Sequence, residues 1–82
     1  MSAQAHQVCR NLQAAVEAAG GTLDDIARVD VYVRNMRDFD AIHAVRREYF
    51  QGVAPASTMV EVSQFVHKDY LIEINAIAVL AE

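Results

Sequence analysis

The chain has 82 residues, 54% of them hydrophobic, with 7 basic against 11 acidic side chains and a formal net charge of −4. That length fits one domain, residues 1–82, and an acidic balance with a pI near 5.2 argues against nucleic acid or an anionic membrane surface as a partner. The single cysteine, Cys9, excludes an internal disulfide framework and a multi-cysteine zinc site, and no apolar run approaches the roughly 20 residues of a membrane span. With no charged-then-apolar leader, a soluble cytoplasmic protein is expected. The apolar content is high for so small a body, which cannot hide that many side chains alone, so self-association is expected as well.

Ala5, Val8, Leu12, Ala15, Val16 and Ala19 recur at spacings of three and four, which predicts a helix over 3–19 with one apolar face. Cys9 falls inside that pattern and reads as a small buried hydrophobe. Gly20 and Gly21 end the helix, because glycine enters the left-handed conformation without a Cβ clash. A short turn, Thr22–Ile26, follows, with Leu23 and Ile26 pointing inward.

The segment RVDVYVRN alternates and predicts a strand, Val29, Val31 and Val33 sharing one face and Asp30 and Tyr32 the other. Asp38 is a suitable N-cap for a second helix whose apolar face carries Phe39, Ile42, Val45, Tyr49 and Phe50. The loop QGVAPA, bracketed by Gly52 and Pro55, leads to a strand STMVEV, with Thr58, Val60 and Val62 opposite Ser57, Met59 and Glu61. A polar link, His67–Asp69, precedes a last strand in which Ile72, Ile74, Ala76 and Ala78 oppose Leu71, Glu73, Asn75 and Ile77.

Helix, strand, helix, strand, strand is the order of an α+β layer with two helices on one face of a sheet. The other face is expected to carry Tyr32, Met59, Leu71 and Ile77, and another copy of the chain is the expected cover for it. His6, His43 and His67 lie on separate elements without ligand spacing, so no metal site is expected.

Five segments, in order, resemble the RidA/YjgF family of reactive-intermediate imine deaminases, whose members also carry the name L-PSP endoribonuclease. They are Q-x-x-Q-V-x-x-N-L from Gln4, A-A-G-G-T-L-D-D-I from Ala18, V-x-V-Y-V-R-N-M-R-D-F from Val29, Y-F-x-x-x-x-P-A-S-T from Tyr49 and I-E-I-N-A-I-A from Ile72. The resemblance runs from about Gln4 to Val79. It implies a chorismate-mutase-like α+β fold, here without the family's N-terminal strands, and a homotrimer with small-molecule clefts between subunits. The implied activity is hydrolysis of enamines and imines to a keto acid and ammonia with no cofactor. The family places an arginine in the cleft to grip a substrate carboxylate, and a glutamate on the last strand to handle water.

Ser57 stands where that arginine would be, Asn75 where that glutamate would be, and His43 where an asparagine is common. A serine is not a fixed cation, and an amide is not a carboxylate base. The candidate cleft residues are therefore Ser57, Met59, Asn75 and His43. Each also has a plainer reading: Ser57 as a strand-start residue, Asn75 as a buried polar group in a structural network, His43 as a solvated or packed histidine. Glu61 and Glu73, on strands expected to be adjacent, face each other or the barrel interior, or else each pairs with an arginine. Arg46 or Arg47 of a neighbouring copy is a candidate replacement for the missing cation. RNA binding needs a positive face with stacking aromatics, which this composition does not offer. Two functions remain open: a deaminase with an altered carboxylate site, and a non-catalytic oligomeric small-molecule-binding module.

Overall fold

A computed structural model describes residues 1–52 and 54–81; Val53 and Glu82 lie outside the described residues. The elements are α1 (Ser2–Ala18), β1 (Ile26–Val33), α2 (Phe39–Tyr49), β2 (Ala56–Glu61) and β3 (Ile72–Ala78). Single 3-10 turns at Leu23–Asp25 and Met36–Asp38 introduce β1 and α2. The element order is the one expected from periodicity.

The end of α1 is set by its two glycines. Gly20 has a φ of 94°, and the amides of Gly20 and Gly21 donate to the carbonyls of Glu17 and Val16. This is the paired hydrogen bonding of a Schellman turn, which satisfies carbonyls that the last helical turn leaves open. At the start of α2, Asp38 occupies the cap position but its side chain makes no cap hydrogen bond. The Asn35 side chain instead accepts from the Arg37 amide one turn earlier, at the 3-10 segment.

In the sheet the order is β2-β1-β3, with β2 parallel and β3 antiparallel to the central β1. Val31 lies opposite Met59 on β2 and Ile74 on β3, and Val29 lies opposite Ser57 and Ala76. Those residues share the face that α1 and α2 cover. A register shift between Ile26 and Arg28 leaves Ala27 unpaired, so Ile26 and Val29 both point inward although they are three residues apart. The core is built from this face: Val31, Val33 and Ile42 are fully buried, with Ala5, Cys9, Val45 and Ile72 around them.

Register corrects two expectations. Met59 belongs to the covered face, packed against the core, and Thr58 and Val60 take the open one. Alternation fixes which residues travel together but not which set turns inward, and a step of one residue exchanges them. Glu61 and Glu73 are not on adjacent strands, since β1 lies between β2 and β3. Glu61 follows Ser57 and Met59 on the helix side, where its carboxylate accepts the Met36 amide at 2.8 Å. Glu73 lies opposite Tyr32 on the open face.

That open face is mixed rather than greasy. Val60 and Ile77 are exposed on it, and Tyr32 is half-buried between Val60 and Glu73. Asp30, ion-paired with Arg28 at 3.2 Å, sits in the central row beside Thr58 and Asn75. Leu71 ends just short of β3 and is half-buried.

Candidate functional site

One flank of α2 and the start of β2 enclose a pocket of about 420 Å³. Phe39, His43, Arg46, Arg47 and Phe50 line it from the helix side, and Ala54, Pro55, Ser57 and Met59 from the strand side. The helix residues follow spacings of four, three and four from Phe39 to Phe50, a stripe beside the buried row of Ile42 and Val45. The last turn of α2 and the first residues of β2 are neighbours, although eleven positions separate Arg46 from Ser57.

Across that gap, Arg46 Nη2 donates to Ser57 Oγ at 2.8 Å. No other hydrogen bond of the Arg46 side chain occurs among the described residues; its Nε is inaccessible and lacks an acceptor, and none of the ion pairs there includes it. Burial lowers the Arg46 pKa below the ordinary value of a guanidinium, a shift partly offset by the Cys9 side chain. Burial likewise raises the Cys9 thiol above 9.0, with the nearby guanidinium pulling the other way. Cys9 is a buried free thiol, the small buried hydrophobe that the helical pattern indicates.

At the rim, Phe39 and His43 stack with ring centroids 5.5 Å apart and planes 11° from parallel. Phe39, Phe50, Pro55 and Met59 make the remaining walls apolar. The arrangement offers a cation tied to a hydroxyl, an imidazole able to accept or donate a proton, and flat apolar surface. Its volume is within the range of pockets that hold whole small metabolites.

Of the residues singled out in the sequence, Ser57, Met59 and His43 line this pocket together. Asn75 does not. It lies on the open sheet face opposite Asp30, exposed rather than buried, so the expectation of a buried polar network is not met. Strand alternation is the reason: Asn75 is one position out of step with Ile74 and Ala76, which face the helices. The cation at this pocket within the single chain is Arg46 of its own α2. Phe39, Phe50 and Pro55 were read as core or loop residues, and the stripe along α2 was the signal for the first two.

A larger groove of about 600 Å³ runs between α1 and β3, lined by Gln4, Val8, Leu12, Tyr70, Ile72 and Glu73 among others. Gln4 bridges its end, donating to the Asp69 carbonyl and accepting the Leu71 amide, both at 2.9 Å. No metal-binding cluster of three or more His, Cys, Asp or Glu occurs among the described residues, and no helix there is long and apolar enough to cross a membrane.

Residues 1–80 match the family described as Endoribonuclease L-PSP. The chain is a member of the RidA/YjgF family. A RutC family protein of Pyrococcus horikoshii is 48% identical over 75 residues, covering 92% of this chain and 59% of that protein. The 2-iminobutanoate/2-iminopropanoate deaminase of Salmonella typhimurium is 42% identical over 82 residues, covering 96% and 63%. Among solved structures, Escherichia coli TdcF with bound serine superposes with a TM-score of 0.92 at 34% identity, covering 98% of this chain and 65% of that one. The chain thus spans about three-fifths of the length of the curated RidA-family relatives it matches.

Proposed function

We propose that this chain takes part in hydrolytic deamination of small enamine or imine metabolites, the activity in the name of its Salmonella relative. In that reaction a water oxygen bonds to the carbon of the C=N group. The C–N bond then breaks, nitrogen leaves as ammonia and the carbon becomes a carbonyl. The step balances with water alone and calls for no cofactor. The observation that carries the reading is the α2–β2 pocket, a half-buried guanidinium beside Ser57 among apolar walls, in a chain of this family. The serine bound by TdcF supports a small amino-acid-like ligand. An endoribonuclease role draws no support from a chain of net charge −4.

A second reading, a binding module without turnover, is favoured by one feature of the same pocket. No carboxylate stands among its described lining residues, and the last strand offers Asn75 where the family pattern has a glutamate. Ammonia release from freshly generated 2-aminoacrylate and a panel of imines separates the two. Release faster than in buffer supports the deaminase; a buffer-level rate with every candidate leaves the binding module.

The proposal includes assembly, with a trimer as its specific form. Ser57 and Asn75 lie on opposite faces of one sheet, so a single site can contain both only when two copies contribute. Exposed Val60 and Ile77 on the open face support such packing. Sedimentation equilibrium tests it, and a monomer at high protein concentration contradicts it.

A further inference from the structure

We infer that the Arg46 guanidinium, carried by α2 rather than by the strand, is the anion-recognition group of the α2–β2 pocket, and that its ligand is a small carboxylate bearing a flat apolar substituent. The inference rests on the small-metabolite reading above and specifies the group that would select the ligand.

The first support is what the guanidinium lacks. It has five N–H donors, and among the described residues the protein supplies one acceptor, the neutral hydroxyl of Ser57. Among the described residues no carboxylate lies within ion-pair distance of Arg46, although Arg28 has such a partner. A half-buried cation without a counter-ion is costly to hold, and an anionic ligand is the partner that offsets the cost. The bond from Nη2 to Ser57 also restrains the rotation of a long side chain, so less freedom is lost on binding.

The second support is the surroundings. Phe39 and His43 form a stacked pair at the rim, with Phe50, Pro55 and Met59 completing an apolar wall. A planar conjugated acid would place its carboxylate at Arg46 and its substituent against these rings. Arg47 also lines the pocket but is exposed, so water screens it more strongly.

Phenylpyruvate and its methyl ester are a matched pair of probes for this geometry, titrated into the intact chain by calorimetry. The acid is expected to bind roughly 10- to 100-fold tighter than the ester, the range of a charge-assisted hydrogen-bonding pair. Arg46→Gln should abolish that preference while leaving ester affinity within about twofold, and Arg47→Gln should keep it. Equal binding of acid and ester to the wild-type chain, no binding of either, or a preference that survives Arg46→Gln overturns the inference. If Arg46→Gln does not fold, NMR titration of the wild-type chain decides: the arginine Nε–H signal absent from an Arg46→Lys spectrum must shift with the acid and not with the ester. Ammonia release is measured separately. Lost turnover with intact acid preference removes only the deaminase reading, and turnover without acid preference removes only the Arg46 assignment.

Discussion

Restoring the arginine of the family pattern at position 57 should damage this chain rather than repair it. In Ser57→Arg the new guanidinium grows from the Cβ whose hydroxyl now sits 2.8 Å from Arg46 Nη2. Two unit charges about 4 Å apart repel by roughly 1 kcal/mol in water and roughly 4 kcal/mol at an effective dielectric constant of 20. The pocket lies between those limits, so a loss of about 1–4 kcal/mol is expected, from a total on the order of 4–12 kcal/mol for a chain of this length. Urea unfolding reads the change directly; with a slope of about 1 kcal/mol per molar, the midpoint should fall by about 1 M or more. Salt at about 0.5 M should recover part of the loss by screening. Adding Arg46→Leu to Ser57→Arg should recover most of it, giving a coupling above about 0.5 kcal/mol in the double-mutant cycle. The double variant should also regain preference for acid over ester, because the cation is then supplied from the strand. A Ser57→Arg chain as stable as the wild type, with additive effects across the cycle, would refute the claim that Arg46 already fills this place.

Three further outcomes follow from the packing and the open face. Ile42→Ala empties a fully buried site between α2 and the sheet and should cost about 2–5 kcal/mol in urea unfolding. Burial raises the Cys9 pKa above 9.0, so the folded chain holds that proton more tightly than the unfolded chain does. The stability this contributes is complete below pH 9 and is lost as pH rises through the folded value, so the gap between wild type and Cys9→Ala should narrow as pH rises above 9. A constant gap would count against it. Ile77→Lys places a charge on the open face, and sedimentation should show weaker self-association with an unchanged circular dichroism spectrum; unchanged association would move the contact elsewhere.

Much of the fold was legible because periodicity is a local property. The row of Ile42 and Val45, the alternation of Val29, Val31 and Val33, and the glycines closing α1 each declare themselves within a few residues. The burial of Cys9 follows from the same helical arithmetic. What stayed hidden depends on partners distant in sequence. The face of Met59 is not legible locally, because alternation in β2 is symmetrical until its register with Val31 is known. Consecutive strands often pair, which predicts Glu61 beside Glu73, whereas β1 inserts between them. The unpaired Ala27 breaks the two-residue period in a way that composition does not mark. Asn75 was placed with Ser57 because the family pattern joins their positions, while the two lie on opposite faces of one chain.

The relation between Arg46 and Ser57 shows why motif matching and geometry give different answers at this site. Compared position by position with the pattern that the resemblance implies, the chain would lack a cleft cation, with Ser57 in the place expected of an arginine. In space a cation is present, because the last helical turn of α2 lies against the first residues of β2. A side chain as long as arginine spans that gap, and Ser57 Oγ holds its Nη2. A serine at 57 then has a definite part, because a larger residue would occupy the space the guanidinium uses and an acidic one would neutralise it. The two differences are therefore coupled through one contact, and Ser57→Arg made alone should cost more than Ser57→Arg made together with Arg46→Leu.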